Sequence, residues 1–240
     1  MANQRVRTLR ERAYRAGRIA STFGRIYLGI KLNQVLARRL GKREMERRWQ
    51  RFNRRSAESV FRTAIELRGL ILKACQFIGS RPDVLPAEYI DVLSQLQDRV
   101  PPVSHAEIRK VVEEELGAPL ENAFSYFSEE SIASASLAQV HEARLHDGSR
   151  VAVKVQYPEI AELVRSDLSN LEALFRAVGF VERDFDLMPL VEELGQHLPR
   201  ELDFFNEGMN AERVSKFIEH RDDLLIPRVH WPLTTTRVLV

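Results

Sequence analysis

The 240-residue sequence predicts an α+β protein with a small, mainly antiparallel sheet. Two observations lead there. Apolar residues recur at helical spacing over most of the chain. The period then shortens toward two between about 123 and 157, where VHEARL and RVAVKV flank an Asp147-Gly148 turn. A second strand pair is read in IPRVHWPLTTTRVLV, 226–240, around a Pro-Leu-Thr turn. The order is helices, hairpin, helices, hairpin, with no internal repeat.

Residues 1–56 read as a basic helical arm. Ile19, Phe23, Ile26 and Ile30 fall at spacings of 4, 3 and 4, one face of a helix, flanked by Arg18, Arg25 and Lys31. Residues 57–120 read as a helical extension. Its first stretch, 57–79, carries Val60, Phe61, Ile65, Leu72 and Phe77 on an apolar side and is broken by SRPD at 80–83, because a residue before proline avoids the helical region. A third helix, about 86–97, is stopped by Pro101-Pro102. SHAEIRKVVEEEL, 104–116, starts with Ser104 as cap and Glu107 three residues on, a capping box, and is ended by Gly117 and Pro119. Residues 121–240 form the sheet-bearing domain, with helical spacing resuming over 159–217.

Charge is unevenly spread. Residues 1–60 hold 17 Arg and Lys against four acids, a net of +13, and the remaining 180 residues hold 19 bases and 30 acids, a net of −11. Several uses fit a basic amphipathic arm: a solvated helix packing one face on the body, a peripheral helix on an anionic membrane surface, a nucleic-acid contact, or an organelle transit segment. No nucleic-acid reading motif accompanies residues 1–55, so nucleic acid is not expected as a partner. A single cysteine, Cys75, excludes an intramolecular disulfide, argues against a cysteine-based metal site and fits a reducing compartment. No stretch approaches the roughly 20 apolar residues that span a bilayer, and no apolar core follows the basic N-terminus as in a secretory signal.

The chemistry concentrates in SIASASLAQVH, 131–141, and VAVKVQYP, 151–158. Laid over the protein-kinase loop G-x-G-x-x-G-x-V, Ala133, Ala135 and Ala138 take the three glycine positions, Ser134 and Ser136 lie between them, and Val140 matches. Lys154 follows fourteen residues after Val140 across one hairpin, which lets it reach under the loop toward bound phosphates. Glycine loops work because bare backbone approaches phosphate and bends freely; alanine stiffens that backbone and changes the grip. A plain hairpin with a stray lysine also fits these residues.

Four stretches in one order resemble the UbiB/AarF-domain family of atypical kinases, over about 57–240. LKACQFIGSRPDVLPAEYIDVLSQLQDRVPP, 72–102, looks like the family's K-x-G-Q helix: Lys73 and Gln76 match, and Cys75 stands where the family has glycine. SIASASLAQVH is similar to its alanine-rich loop, and VAVKVQYP carries its lysine, Lys154. ELDFFNEGMNAERV, 201–214, resembles its E-x-D motif, Glu201 and Asp203, and the start of an αC-like helix whose Glu207 pairs with the lysine.

The resemblance implies a protein-kinase-like N-lobe, a small antiparallel sheet plus an αC-like helix, preceded by a helical extension. It implies ATP as ligand, held by Lys154 and the loop Ala133, Ser134, Ala135, Ser136, Ala138 and Val140, with Glu207 orienting Lys154. Lys73, Gln76, Glu201 and Asp203 would gate the pocket. Asp203 and Glu207, four apart, share a helical face, and helix N-terminal charge stabilisation is a second reading of Glu201 and Asp203, compatible with the first. The implied work is ATP-dependent support of ubiquinone (coenzyme Q) biosynthesis, with proteins or lipids of that pathway as partners. The implied place is peripheral, on a membrane facing the cytoplasm or in a mitochondrion. A non-catalytic nucleotide- or lipid-binding scaffold is the alternative.

Phosphoryl transfer also needs a catalytic-loop aspartate, an asparagine and a D-F-G aspartate. His220-Arg221-Asp222 imitates the first, but Pro227 stands where asparagine belongs and the segment precedes the last strand pair. DFD at 184–186 and DFF at 203–205 lack the glycine. No metal ligand is therefore assigned in this chain. Mg2+ is expected only with a second lobe, in a continuation or on a partner chain.

Overall fold

The computed structural model describes residues 2–83, 85–97, 100–181 and 188–240. The chain divides into two compact units, Met1–Val100 with Glu162–Val191, and Pro101–Ala161 with Glu192–Val240. The DFD at 184–186 lies outside the described residues.

The first unit is helical. α1 (Ala2–Ala37) and α2 (Lys42–Leu67) form an antiparallel hairpin turned at 38–41. Gly29 makes its close approach possible: a Cβ there would lie 2.3 Å from the Phe52 ring. The Thr22 and Thr63 hydroxyls meet at 3.0 Å across the same seam. Arg15 is buried and donates to both oxygens of Asp167 on α7 (Ile160–Val181), its Nε at 2.8 Å, and to the Leu67 carbonyl at 2.6 Å. Phe23 meets Phe175 of α7 edge-on, with centroids 6.2 Å apart. The Ile19 face of the arm is thus turned into the protein, with Ile19 itself 1% exposed. That corrects one reading of the arm, because this face is not free to enter a membrane. Leu28, Leu32 and Val35 are instead exposed toward the C-terminal end of α1.

The expected break between an arm ending at 56 and a helix starting at 57 is absent, since α2 runs through it with Ser56 and Ala57 both buried. The break comes at Arg68, at φ 54 followed by Gly69 at φ 55, left-handed backbone that no helix continues through. α3 (Gly69–Gly79) follows, then α4 (Ala87–Leu93) and a 3-10 turn, Ser94–Gln97.

In the second unit, α5 (His105–Leu116) starts at Ser104 and ends on Gly117 in the left-handed region. The expected capping box is not made. The Ser104 hydroxyl donates to the Glu107 carboxylate at 2.7 Å, so the two side chains bond each other and not the backbone amides. After α6 (Leu120–Ala123) come β1 (Tyr126–Ser134), β2 (Ala138–Arg144) and β3 (Arg150–Gln156), then α8 (Met188–Glu201), which begins in the first unit, α9 (Phe204–Phe217) and β4 (Val238–Leu239). The sheet is antiparallel in order β1-β2-β3-β4. The β2–β3 turn is the expected one: Gly148 sits at φ 85 and Asp147 accepts the Ser149 amide at 2.8 Å. β1 is irregular, with its register against β2 shifting on both sides of Ser131.

The expected second hairpin at 226–240 does not form. Only Val238–Leu239 is strand, and Trp231–Leu233 is a 3-10 turn. Pro227 and Pro232 have no N–H to give a ladder. Thr234 and Thr235 hydroxyls take the amides of Val240, Arg237 and Val238 that a partner strand would have used. One backbone bond, His230 N–H to Val240 carbonyl at 2.7 Å, spans the segment.

Strand alternation gives the sheet two faces. One carries Gln139, His141, Ala143, Val153 and Val155, all buried. The other carries a row of directly paired residues, Ala133, Val140, Lys154 and Leu239.

Candidate functional site

The second face is where the sequence signals meet. The ladder sets Val140 beside both Ala133 and Lys154, so two loop positions and the lysine share one side of the sheet. Asp203 caps α9, its carboxylate accepting the Asn206 amide at 3.2 Å, so its capping role is realised. The Phe204 amide donates to the Thr236 carbonyl at 3.0 Å, fastening α9 to the segment before β4. Gly208 lets the helix close in, since a Cβ there would lie 3.0 Å from the Trp231 ring. These contacts put Glu207 over Lys154. The Lys154 ammonium donates to both Glu207 oxygens, at 2.6 and 2.7 Å, and lies 4.6 Å from the centroid of the buried Phe204 ring. Both partners stay partly open to solvent, at 31% and 43% of their side-chain surface. A cation held by one carboxylate, with remaining access to solvent, can also contact an anionic ligand.

The alanine-rich segment is a tight link between strands. Ala133 and Ser134 end β1 and Ala138 begins β2. The Ala135 amide donates to the Ala138 carbonyl at 2.8 Å, and Ser136 and Leu137 at the tip are 5% and 6% exposed.

The four residues expected to gate the pocket divide between the units: Lys73 and Gln76 on α3 in the first, Glu201 and Asp203 in the second. Gln76 donates to the Leu96 carbonyl at 2.9 Å within its own unit. Cys75 is buried, and burial pushes its thiol up to about 12, which leaves it an inert packing residue. His220-Arg221-Asp222 is exposed, and Arg221 pairs with Asp223 at 2.6 Å. Among the described residues no group of three or more His, Cys, Asp or Glu is placed to hold a metal ion.

The sequence reading missed the buried polar groups that fix the sheet. Gln139 accepts the Val103 amide at 2.7 Å, which turns its own NH2 toward His141 Nε2 at 2.8 Å. His141 is therefore neutral with its proton on Nδ1, donated to the Ser128 carbonyl at 2.8 Å. Burial holds its pKa below the ordinary value, and the neighbouring His105 pushes the same way. Gln156 donates to the Leu202 and Thr236 carbonyls at 2.7 and 3.0 Å, tying β3 to the entry of α9. The available signal was Gln139 and His141, polar residues at strand positions where alternation predicts an inward side chain; Gln156, on the Lys154 face, carried no such signal.

Residues 95–240 match the model of the ABC1 atypical kinase-like domain. The chain is 39% identical over 228 residues to the AarF domain-containing protein kinase 1 of Mus musculus, covering 95% of this chain and 43% of that protein. It is 36% identical over 195 residues to the chloroplastic protein ACTIVITY OF BC1 COMPLEX KINASE 7 of Arabidopsis thaliana, covering 79% of this chain and 28% of that one. A solved chain, the Rv3197–erythromycin complex from Mycobacterium tuberculosis, is 26% identical with a TM-score of 0.49, covering 83% of this chain and 50% of that chain. The chain spans less than half the length of the curated relatives it matches. A kinase-like sheet with a lysine–glutamate pair, under a domain model that takes in more than half the residues, makes this chain a member of the ABC1/AarF family of atypical kinase-like proteins.

Proposed function

We propose that the chain is the nucleotide-binding part of an atypical kinase or ATPase that uses ATP in support of ubiquinone biosynthesis at a membrane. The observation that carries the nucleotide reading is the Lys154–Glu207 pair on the sheet face that also bears Ala133 and Val140. ATP fits the residues present: a fixed, accessible ammonium for the phosphates, and loop amides at Ser136 and Leu137 with no acceptor among the described residues. Glu207 orients Lys154, and the loop 133–138 covers the phosphates. The described residues do not fit a metal centre, so no step is routed through Mg2+. In this reading its ligands belong to a second lobe, for which the greater length of the relatives leaves room. Calorimetric titration tests the assignment: ATP binds, and Lys154→Ala abolishes that binding. Unchanged affinity in the variant removes Lys154 from the phosphate site.

The ubiquinone part rests on the family resemblance. The membrane part has its own support in the first unit. A cleft of about 250 Å3 between α1 and α2 is lined by Arg48, Arg51 and Arg55 over Leu32 and Phe52. No acid lines it, and none of the three arginines has a carboxylate partner among the described residues. Beside it Leu28, Leu32 and Val35 are more than half exposed on α1. Unneutralised guanidinium groups next to an exposed apolar strip suit an anionic bilayer surface. No helix is long and apolar enough to cross a membrane among the described residues. A scaffold that docks on lipid without catalysis uses the same cleft, and retained vesicle binding with no ATP binding would identify it.

A further inference from the structure

Tyr157 follows β3 directly and is 4% exposed. Three of its bonds go to the alanine-rich segment. Its hydroxyl donates to the Ala135 carbonyl at 2.9 Å. The same oxygen lies 2.7 Å from Ser134 Oγ, and since the phenolic proton is already given to Ala135, the serine is the donor. Its backbone amide donates to the Leu137 carbonyl at 3.0 Å. One residue thus holds the segment by two carbonyls and a side chain.

The carbonyl and amide of a trans peptide point in opposite directions, so fixing the Ala135 carbonyl on Tyr157 turns the Ser136 N–H away from it. Ser136 and Leu137 are the tip residues whose amides have no acceptor among the described residues. Through the Ala135 carbonyl the tyrosine decides where the Ser136 donor points, and by holding the Leu137 carbonyl it fixes the far side of the tip. Glycine loops leave that choice to the ligand; here alanine at 133, 135 and 138 removes backbone freedom and the phenol adds a lock.

We propose that Tyr157 is a positioning residue, a latch that sets the alanine-rich loop in the one shape whose amides meet nucleotide phosphates. This rests on the nucleotide reading above. The latch acts on phosphate recognition through the loop and touches no ligand itself. Adenosine, which has no phosphates, is indifferent to it.

Tyr157→Phe keeps the ring in its packing and removes only the hydroxyl. Two readouts on the 240-residue chain are expected to move together: hydrogen exchange at 133–138 quickens, and the Kd for ATP rises about three- to tenfold, the worth of a net hydrogen bond or so, while the Kd for adenosine stays put. Ser134→Ala is expected to shift both in the same direction by less. A general loss of folding would instead weaken ATP and adenosine alike and overturn the latch. Unchanged exchange at 133–138 overturns it whatever the nucleotides do. Faster exchange with unchanged ATP affinity, while Lys154→Ala still abolishes binding, overturns the phosphate role. If Lys154→Ala leaves ATP binding intact, the nucleotide reading fails and the positioning role goes with it.

Discussion

Lys154 and Glu207 stand 53 positions apart in the chain and meet through two hydrogen bonds of 2.6 and 2.7 Å, with the Phe204 ring beneath the ammonium. Both are partly in solvent, so the pair is expected to matter little for folding and much for ligand. Glu207→Gln should change the unfolding free energy by less than about 1 kcal/mol, the range of partly exposed ion pairs. It should weaken ATP binding about tenfold, because the ammonium is no longer held in place. Denaturant titration and calorimetry on the same variant separate the two effects. A large stability loss with unchanged affinity would make the pair structural.

Arg15 and Asp167 are the opposite case. Both are buried, 152 positions apart, and the guanidinium also takes the Leu67 carbonyl. Burial drives the Asp167 carboxyl up and the Arg15 contact draws it back down. Removing one member strands the other, so Asp167→Asn should cost about 3–5 kcal/mol in urea unfolding. A loss below about 1 kcal/mol would mean that the pair is hydrated and dispensable.

His141 links the sheet to pH. Its folded pKa lies below the ordinary 6.5 because burial disfavours the charged ring. Its Nε2 already accepts from Gln139, so a proton there would face another donor. The unfolded chain takes up a proton that the folded one refuses, so stability rises with pH across this window. The His141 contribution is complete above about 6.5 and is lost as pH falls through the depressed folded value. Melting temperature should therefore drop on acidification below that point, and His141→Gln should flatten the slope. An equal slope in the variant would assign the acid sensitivity elsewhere.

For the arginine cleft, sedimentation with vesicles of phosphatidylcholine and phosphatidylglycerol is the direct measurement. Arg48→Gln, Arg51→Gln and Arg55→Gln together should weaken binding about a hundredfold, at roughly 1 kcal/mol for each basic residue near an anionic surface. Raised salt should mimic the change. Equal sedimentation of the triple variant would leave the cleft with no lipid role.

The sheet was legible because its signals are local. The Asp147-Gly148 turn, the alternation on either side of it and the lysine near the end of VAVK all lie within one hairpin. The approach of Glu207 to Lys154 came from the family motif, since no period in the sequence relates them. What stayed hidden was set by packing across long separations. Nothing local marks Arg15 as buried among so many exposed arginines, or joins it to Asp167. The run of α2 through 56 and 57 was masked by a change of composition from basic to apolar that altered its surroundings and not its backbone. The strand reading of 226–240 failed because β-branched residues suggested pairing while the threonine hydroxyls were satisfying the amides locally. Nothing local to Tyr157 signals that its hydroxyl reaches the Ala135 carbonyl.

The irregular β1 has a consequence for solubility. It is the outermost strand on its side of the sheet, and an outermost strand offers unpaired amides and carbonyls to any stray chain that can lie flat against it. The two register shifts break that regular template, and Glu129 and Glu130 add charge where an incoming strand would dock. These features disarm the edge against runaway self-addition, and replacing the bulged segment by a regular alternating strand would be the quickest way to make this protein aggregate.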